Sequence, residues 1–158
     1  MKALVVYDSV FGNTEKVAQA IGAALGAPEE VAVVRIGDAS LGRLAGVDVL
    51  VVGSPTRAFR PMPTVSDLIK GLPAGALQGV RTAAFDTRLS PQDVNSAILG
   101  FFVRLFGWAA EKLDKALVGK GGSQAAAPEG FYVVASEGPL RDGELERAGA
   151  WARQIAAG

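Results

Sequence analysis

A polar loop with the residue types of an anion-binding site directly follows the first apolar run of the chain. Within Asp8–Thr14, Ser9 and Thr14 offer hydroxyl groups and Asn13 offers a side-chain amide. Gly12 lets the backbone approach a ligand closely. A helical pattern begins at the end of this loop, so free N–H groups and the helix dipole favour an anion there. Because the loop contains no Lys or Arg, neutral donors would hold that anion, which suits a buried phosphate monoester.

The loop does not match the two common nucleotide-binding motifs. Neither the phosphate-loop pattern G-x-x-x-x-G-K-[ST] nor the dinucleotide pattern G-x-G-x-x-G occurs there. The alternative interpretation is an ordinary turn between a strand and a helix, in which Asn13 or Thr14 caps the helix.

A later loop, Ser54–Pro63, carries side chains that could hold a planar ring. Its prolines fix φ and therefore stiffen the loop. Thr56 could contact a phosphate or a ribityl chain, whereas Arg57, Phe59 or Met62 could pack on a ring. The alternative is a rigid surface connection in which Phe59 points into the core.

Acid–base and nucleophilic catalysis have little support in the composition. The chain contains no cysteine and no histidine, which excludes a thiolate nucleophile and the commonest general base. Asp8 and Asp86 each follow an apolar run, but aspartates in such turns more often bind local N–H groups than transfer protons. Any chemistry would therefore come from carboxylates, hydroxyl groups, Lys or Arg, the backbone or a bound cofactor.

Charge and hydropathy limit the kinds of partner. The chain has 16 basic and 16 acidic residues, so no net charge attracts nucleic acid. Its longest apolar stretch, Ala97–Phe106, is too short to cross a bilayer and contains Arg104. The apolar run in Met1–Tyr7 is too short for a secretory signal. We therefore expect a cytoplasmic protein that binds neither nucleic acid nor membranes.

Short apolar runs alternate with amphipathic helical segments along the chain. The runs are continuous, as in parallel strands that are covered on both faces. This order predicts one α/β domain over residues 1–158, with a doubly wound parallel sheet of five strands and helices on both faces. Ligands of such sheets bind beyond the carboxyl ends of the strands. The predicted strands are Ala3–Tyr7, Val31–Ile36, Val47–Gly53, Val80–Phe85 and Phe131–Ala135; the predicted helices are Thr14–Leu25, Thr64–Leu72, Val94–Val118 and Gly143–Ala157, with Asp38–Ala45 as a short helix or a loop.

The segment Tyr7–Thr14, YDSVFGNT, resembles the phosphate-binding loop of the flavodoxin family, S/T-x-x-x-G-N-T after the first strand. Gly53–Thr56 and Phe85–Leu89 fall where that family has its two flavin loops, and the similarity extends over essentially the whole chain. The resemblance implies strand order 2-1-3-4-5 and one noncovalently bound flavin mononucleotide (FMN). It implies that Ser9, Val10, Phe11, Gly12, Asn13 and Thr14 bind the phosphate, and that Pro55, Thr56, Arg57, Ala58, Phe59, Asp86, Thr87, Arg88 and Leu89 clamp the isoalloxazine ring.

Two features depart from the family pattern. Flavodoxins typically stack aromatic side chains on both flavin faces, whereas Asp86–Leu89 contains none, and Ser54–Pro63 has no glycine to supply a positive φ. The apolar segment Ala97–Trp108 could provide the missing aromatic or a partner-binding patch. The alternative places most of this segment, including Trp108, in the core. The candidate ring contacts are Phe101, Phe102 and Phe106.

The sequence leaves three functions open. The first is an electron carrier, monomeric or weakly dimeric, that shuttles electrons between a reductase and an acceptor protein. The second is a small FMN-dependent NAD(P)H or quinone oxidoreductase, in which Arg57, Arg60 and Arg88 would bind an anionic substrate. The third is an interaction module that has lost the flavin, which the intact Gly12–Thr14 disfavours. The short chain and the lack of an obvious second nucleotide site favour the carrier.

Overall fold

The computed structural model describes residues 1–57, 59–90, 97–98, 101 and 107–158. Within these ranges, six strands form one sheet and four α-helices flank it. None of these helices combines the length and the apolar character needed to cross a bilayer. Short 3-10 helices at Ile36–Asp38 and Leu41–Leu44 lie between the second and third strands. The strands are β1 (Ala3–Tyr7), β2 (Val31–Arg35), β3 (Val49–Pro55), β4 (Arg81–Leu89), β5 (Ser123–Gln124) and β6 (Glu129–Val133); the helices are α1 (Asn13–Leu25), α2 (Pro63–Lys70), α3 (Ala109–Gly119) and α4 (Glu144–Ala157).

The strands pair in parallel in the order β2-β1-β3-β4-β5, which confirms the predicted order. β6 is an additional strand that also pairs with β4. β5 lies beside Arg81 and Thr82, whereas β6 lies beside Phe85–Leu89, so the two share the outer edge of β4. The predicted last strand, Phe131–Ala135, corresponds to β6, whereas β5 is a short strand that the prediction does not include. Pro128 lies between β5 and β6 and has no N–H to donate to a ladder.

Helices cover both faces of the sheet, as the continuous apolar runs predict. Successive residues of β1 belong to opposite faces: Val5 packs with residues of α1 and α4, and Leu4 packs with residues of α2 and α3. Phe85 on β4 contacts the edges of Phe131 and Trp151, with ring centroids 6.1 and 6.3 Å apart. These two apolar layers hold the strands in register, so the loops after their carboxyl ends meet at one edge.

β4 and the segment after it differ from the prediction. β4 continues to Leu89, so the segment predicted as a loop after Phe85 lies on a strand between β3 and β6. The prediction of one long continuous helix is wrong, because Gly107 has a φ of 70° and Trp108 is extended immediately before α3. Several residues of interest in the apolar segment lie outside the described part of the chain: Phe102, Arg104 and Phe106.

Candidate functional site

A cavity of about 560 Å³ opens beyond the carboxyl ends of β1, β3, β4 and β6, beside the start of α1. Its volume is typical of a small-molecule site. Loops that are far apart in the sequence therefore meet at this edge of the sheet. The cavity is lined by the predicted site residues Ser9, Val10, Phe11, Asn13, Thr14, Pro55, Thr56, Arg57, Phe59, Thr87, Arg88 and Leu89.

The other predicted site residues do not line the cavity among the described residues. Gly12 precedes α1 in the left-handed conformation, with a φ of 90°, and Asp86 is completely buried behind the lining. Ala58 lies outside the described residues. The cavity also has lining residues that were not predicted as site residues: Trp108, Val133, Ser136 and Glu137.

The amino end of α1 faces the cavity without a side-chain cap. Gly12 is the N-cap residue, and no side chain of a described residue bonds the first amide groups of α1, so the interpretation of Asn13 or Thr14 as the cap is wrong. The Gly12 N–H donates to Ser9 Oγ at 3.0 Å, which leaves the Ser9 hydroxyl proton for a ligand. This end of the cavity therefore presents N–H and O–H donors to an anion.

Three contacts fix the loop that carries these donors. The Asn13 amide donates to the Glu137 carbonyl at 3.1 Å, so this side chain holds the loop after β6. Arg35, at the end of β2, donates to the Ser9 carbonyl. Thr14 Oγ1 lies 2.8 Å from Thr87 Oγ1 on β4. The loop is thus attached to three neighbouring segments before any ligand binds.

Asp8 is occupied by structural bonds. Its Oδ1 accepts from the Ser9 N–H at 2.8 Å, and its Oδ2 accepts from the Thr64 hydroxyl at 2.6 Å. The Arg35 Nε lies 3.6 Å from the same carboxylate. The Asp8 carboxylate therefore positions the loop by these contacts.

The second loop makes a tight turn at the cavity mouth. Arg57 and Arg60 exchange two backbone hydrogen bonds, of 2.8 and 3.0 Å, around this turn. Phe59 takes a φ of 64°, a left-handed conformation that costs a residue other than glycine about 1–2 kcal/mol. The Lys112 ammonium donates to the Phe59 carbonyl at 2.5 Å and holds it in place. Phe59 therefore supplies the positive φ that the loop lacks a glycine to provide, and its side chain lines the cavity.

Asp86 and Arg88 form a bidentate ion pair at the end of β4. The Arg88 Nε and Nη2 donate to the two Asp86 carboxylate oxygens at 2.6 and 2.8 Å. Burial raises the pKa of Asp86, and the hydrogen bonds from Arg88 oppose that rise. Asp86 also accepts from the Ala110 N–H at 2.9 Å, while Thr56 accepts from the Ala109 N–H at 3.1 Å. Asp86 thus fastens Arg88 and the start of α3 behind the cavity.

Trp108 provides an aromatic wall that the sequence analysis did not assign to the site. The Arg88 guanidinium lies 4.4 Å from the Trp108 ring centroid, which fixes the ring beside the end of β4. Trp108 is half-buried and lines the cavity, so its predicted place in the core is wrong. The signal available in the sequence was Gly107, which interrupts the helical pattern just before it. The cavity thus combines neutral anion donors at one end with a flat aromatic wall, as a phosphate ester of a planar ring requires.

Comparisons with known proteins agree with this arrangement. The family model for flavodoxin matches residues 5–151. Flavodoxin 1 from Bacillus cereus superposes with a TM-score of 0.76 at 18% identity, covering 99% of this chain and 98% of that one. A flavodoxin from the domain Archaea gives a TM-score of 0.75 at 22% identity, covering 99% and 97%. Rubredoxin oxygen:oxidoreductase from Desulfovibrio gigas gives a TM-score of 0.74 at 20% identity, and the match covers 99% of this chain but 35% of that one. No curated protein matches the chain.

Proposed function

This chain belongs to the flavodoxin family, and we propose that it carries electrons from a reductase to an acceptor protein. Family membership identifies it as an FMN-binding electron-transfer protein. We propose in addition that a reductase supplies the electrons and that a separate acceptor protein receives them.

The residues of the cavity fit FMN. In this proposal, the Ser9 hydroxyl and the first N–H groups of α1 hold the phosphate, which needs no cation there. Trp108, Leu89 and Phe59 form the apolar surroundings of the ring. When bound, FMN supplies redox chemistry that no side chain of this cysteine-free chain provides. The observation that carries the assignment is an uncapped helix N-terminus and an aromatic wall within one cavity.

A carrier fits the size and place of the cavity better than an enzyme with its own substrate site. Two further hollows among the described residues are an open depression of about 590 Å³ beside α1 and an apolar hole of about 20 Å³. Neither adjoins the aromatic wall, since they are lined by other residues. One bound FMN would therefore occupy the cavity that carries the aromatic wall and leave its exposed edge to a partner protein.

Reconstitution and turnover assays test the proposal. The purified chain is incubated with FMN, and its visible spectrum and heat of binding are measured. NADH or NADPH is then added with a quinone, first without and then with a separate flavoprotein reductase. A carrier takes up FMN and passes electrons only when the reductase is present. Failure to bind FMN would sink the assignment, and steady NAD(P)H oxidation without a reductase would identify the oxidoreductase alternative instead.

A further inference from the structure

Three cationic side chains form a cluster at the mouth of the cavity, here called the cationic rim: Arg57, Arg60 and Lys112. Arg57 and Arg60 are exposed at the two ends of the tight turn. Lys112, on α3, donates a hydrogen bond to the Phe59 carbonyl of this turn. Arg57 also lines the cavity itself. The rim therefore borders the place where the cofactor edge would meet a partner.

The two arginines of the rim are placed where their charges repel. Arg57 and Arg60 form an antiparallel bridge, so their side chains start from directly opposed positions. Like charges in this arrangement destabilise a strand pair. No carboxylate of a described residue forms an ion pair with either arginine. Lys112 bonds the Phe59 carbonyl within the same turn and adds a third positive charge there; burial and the Arg60 charge lower the pKa of Lys112.

The acidic groups nearby do not cancel this charge. Glu111 precedes Lys112 on α3 and its charge raises the pKa of Lys112, and Glu137 lines the cavity at the loop after β6. Asp86 is committed to Arg88 behind the lining, so that pair is neutral. The cluster thus keeps an excess of positive charge on a chain whose net charge is zero. A local field of this kind steers an oppositely charged partner toward the surface that carries it.

An apolar lip completes the surface on the α1 side of the same cavity. Val10 and Phe11 line the cavity and are 44% and 50% exposed. Exposed apolar side chains beside a charged rim are typical of a protein-binding surface. The rim is less suited to a small anionic ligand, because small-molecule sites enclose their ligands and both arginines of the rim are exposed.

From the cationic rim and the apolar lip, we propose that the cavity mouth docks a redox partner through an acidic face on that partner. This proposal rests on the proposed electron-carrier function and specifies the chemistry of its partner. The expected partner surface carries clustered Asp or Glu side chains opposite Arg57 and Arg60. Contact at this place would relieve the repulsion within the rim and bring the partner to the exposed edge of the cofactor.

Two forms of one haem protein test the charge preference. Native cytochrome c is basic, and the same protein is acidic after succinylation of its lysines. The FMN-loaded chain is photoreduced and mixed with each ferric form in a stopped-flow instrument. The reduced flavin loses one electron, and the haem iron gains it, passing from Fe(III) to Fe(II). We expect the acidic form to be reduced at least about tenfold faster at low ionic strength, with the difference lost at high salt.

Single charge reversals locate the effect. Arg60→Glu removes rim charge without altering a lining residue, and it should reduce or invert the preference for the acidic form. Arg153→Glu makes the same charge change at an exposed position near the end of α4, and it should leave the preference intact. A faster reaction with native cytochrome c, rates that do not depend on salt, or equal effects of the two substitutions would overturn the proposal.

A titration that does not depend on electron transfer separates this inference from the function on which it rests. Backbone amide shifts of the labelled chain are followed as the succinylated cytochrome is added. Shifts centred on residues 57, 59, 60, 10, 11 and 112 support the docking surface, and shifts elsewhere or none at all refute it. A chain that fails to bind FMN refutes the carrier function, and the amide titration still decides where an acidic protein binds.

Discussion

The hydroxyl groups of Thr14 and Thr87 lie 2.8 Å apart and share a hydrogen bond, which joins the first turn of α1 directly to β4. Both side chains are buried and line the cavity. One hydroxyl donates to the other, so one O–H proton of the pair is left for an anionic oxygen of a ligand. The loop that would bind the phosphate is thereby positioned by the strand that carries Arg88.

Replacing Thr87 with valine should weaken FMN binding while the fold is retained. Thr87→Val leaves the buried Thr14 hydroxyl without its partner and removes the donor that the pair offers to the phosphate. We expect the Kd for FMN to rise about tenfold, equivalent to about 1.4 kcal/mol. Calorimetric titrations with FMN and with riboflavin, which lacks the phosphate, check this expectation. An equal loss for both ligands would show that the hydroxyl pair does not act on the phosphate.

Thr82→Val provides a matched control at the other end of β4. The Thr82 hydroxyl is buried and has no hydrogen-bond partner among the described residues. A methyl group of the same shape should therefore raise the free energy of unfolding by about 1 kcal/mol and leave the FMN affinity unchanged. Urea denaturation and the same calorimetric titration separate the two effects.

Asp86→Asn should destabilise the chain severely. The substitution leaves the Arg88 guanidinium, which is only 10% exposed, without its counter-charge. Removing one partner of a buried ion pair costs about 3–5 kcal/mol. Urea denaturation of the FMN-free chain measures this loss. Asp67→Asn, at an exposed position on α2, should change the stability by less than about 0.5 kcal/mol. Similar losses for the two substitutions would contradict the structural role of the ion pair.

Trp108→Leu should lower the FMN affinity with little effect on stability. Trp108 is half-buried in the cavity wall, and an aromatic contact contributes about 0.5–1.5 kcal/mol beyond its buried area. Fluorescence titration with FMN should show a Kd raised by about tenfold or less. The control is Trp151→Phe, in the core against Phe85 and Phe131, which should reduce stability but not affinity. Unchanged FMN binding by the Trp108 variant would remove this residue from the site.

Asp114 should make the chain less stable as the pH rises. Burial raises the pKa of this carboxyl, against the Gln124 Nε2 bond at 2.7 Å, and its Oδ1 has no partner among the described residues. Because the pKa of Asp114 is raised in the folded state, its contribution to stability is complete below the pKa of an aspartate in the unfolded chain, which is about 3.9. That contribution is lost as the pH rises through the folded pKa. Urea denaturation between about pH 4 and 8 should therefore show that the free energy of unfolding falls more steeply with pH for the wild type than for Asp114→Asn. The same dependence on pH in both proteins would exclude the effect.

The sheet could be predicted because its signal is local. Uninterrupted runs such as Ala3–Tyr7 and Val49–Val52 need cover on both faces, and the polar residues of Ser9–Thr14 stand between a strand and a helix pattern. The order of the strands came from the resemblance carried by those loop residues. Both the order and the family were confirmed.

The parts that the sequence did not reveal depend on contacts between distant segments. Trp108 has the hydrophobicity of a core residue, and its place in the cavity wall follows from the backbone break at Gly107 and from Arg88. Asp86 is of a residue type that is common in ligand-binding turns, but the pairing of β4 with both β3 and β6 buries it. Phe59 takes its unfavourable φ because Lys112, from a helix some fifty residues away, holds its carbonyl. Such positions are set by tertiary contacts that no local pattern encodes.

The outer edge of β4 pairs with two short strands, β5 and β6, and this affects how a second molecule could pair with the sheet. A long, flat outer strand offers unpaired N–H and C=O groups on which a second chain can extend the sheet and begin a fibril. Here that border consists of two residues and five residues with Pro128 between them. The interruption leaves no continuous template at this edge of the sheet and so disfavours intermolecular sheet growth there.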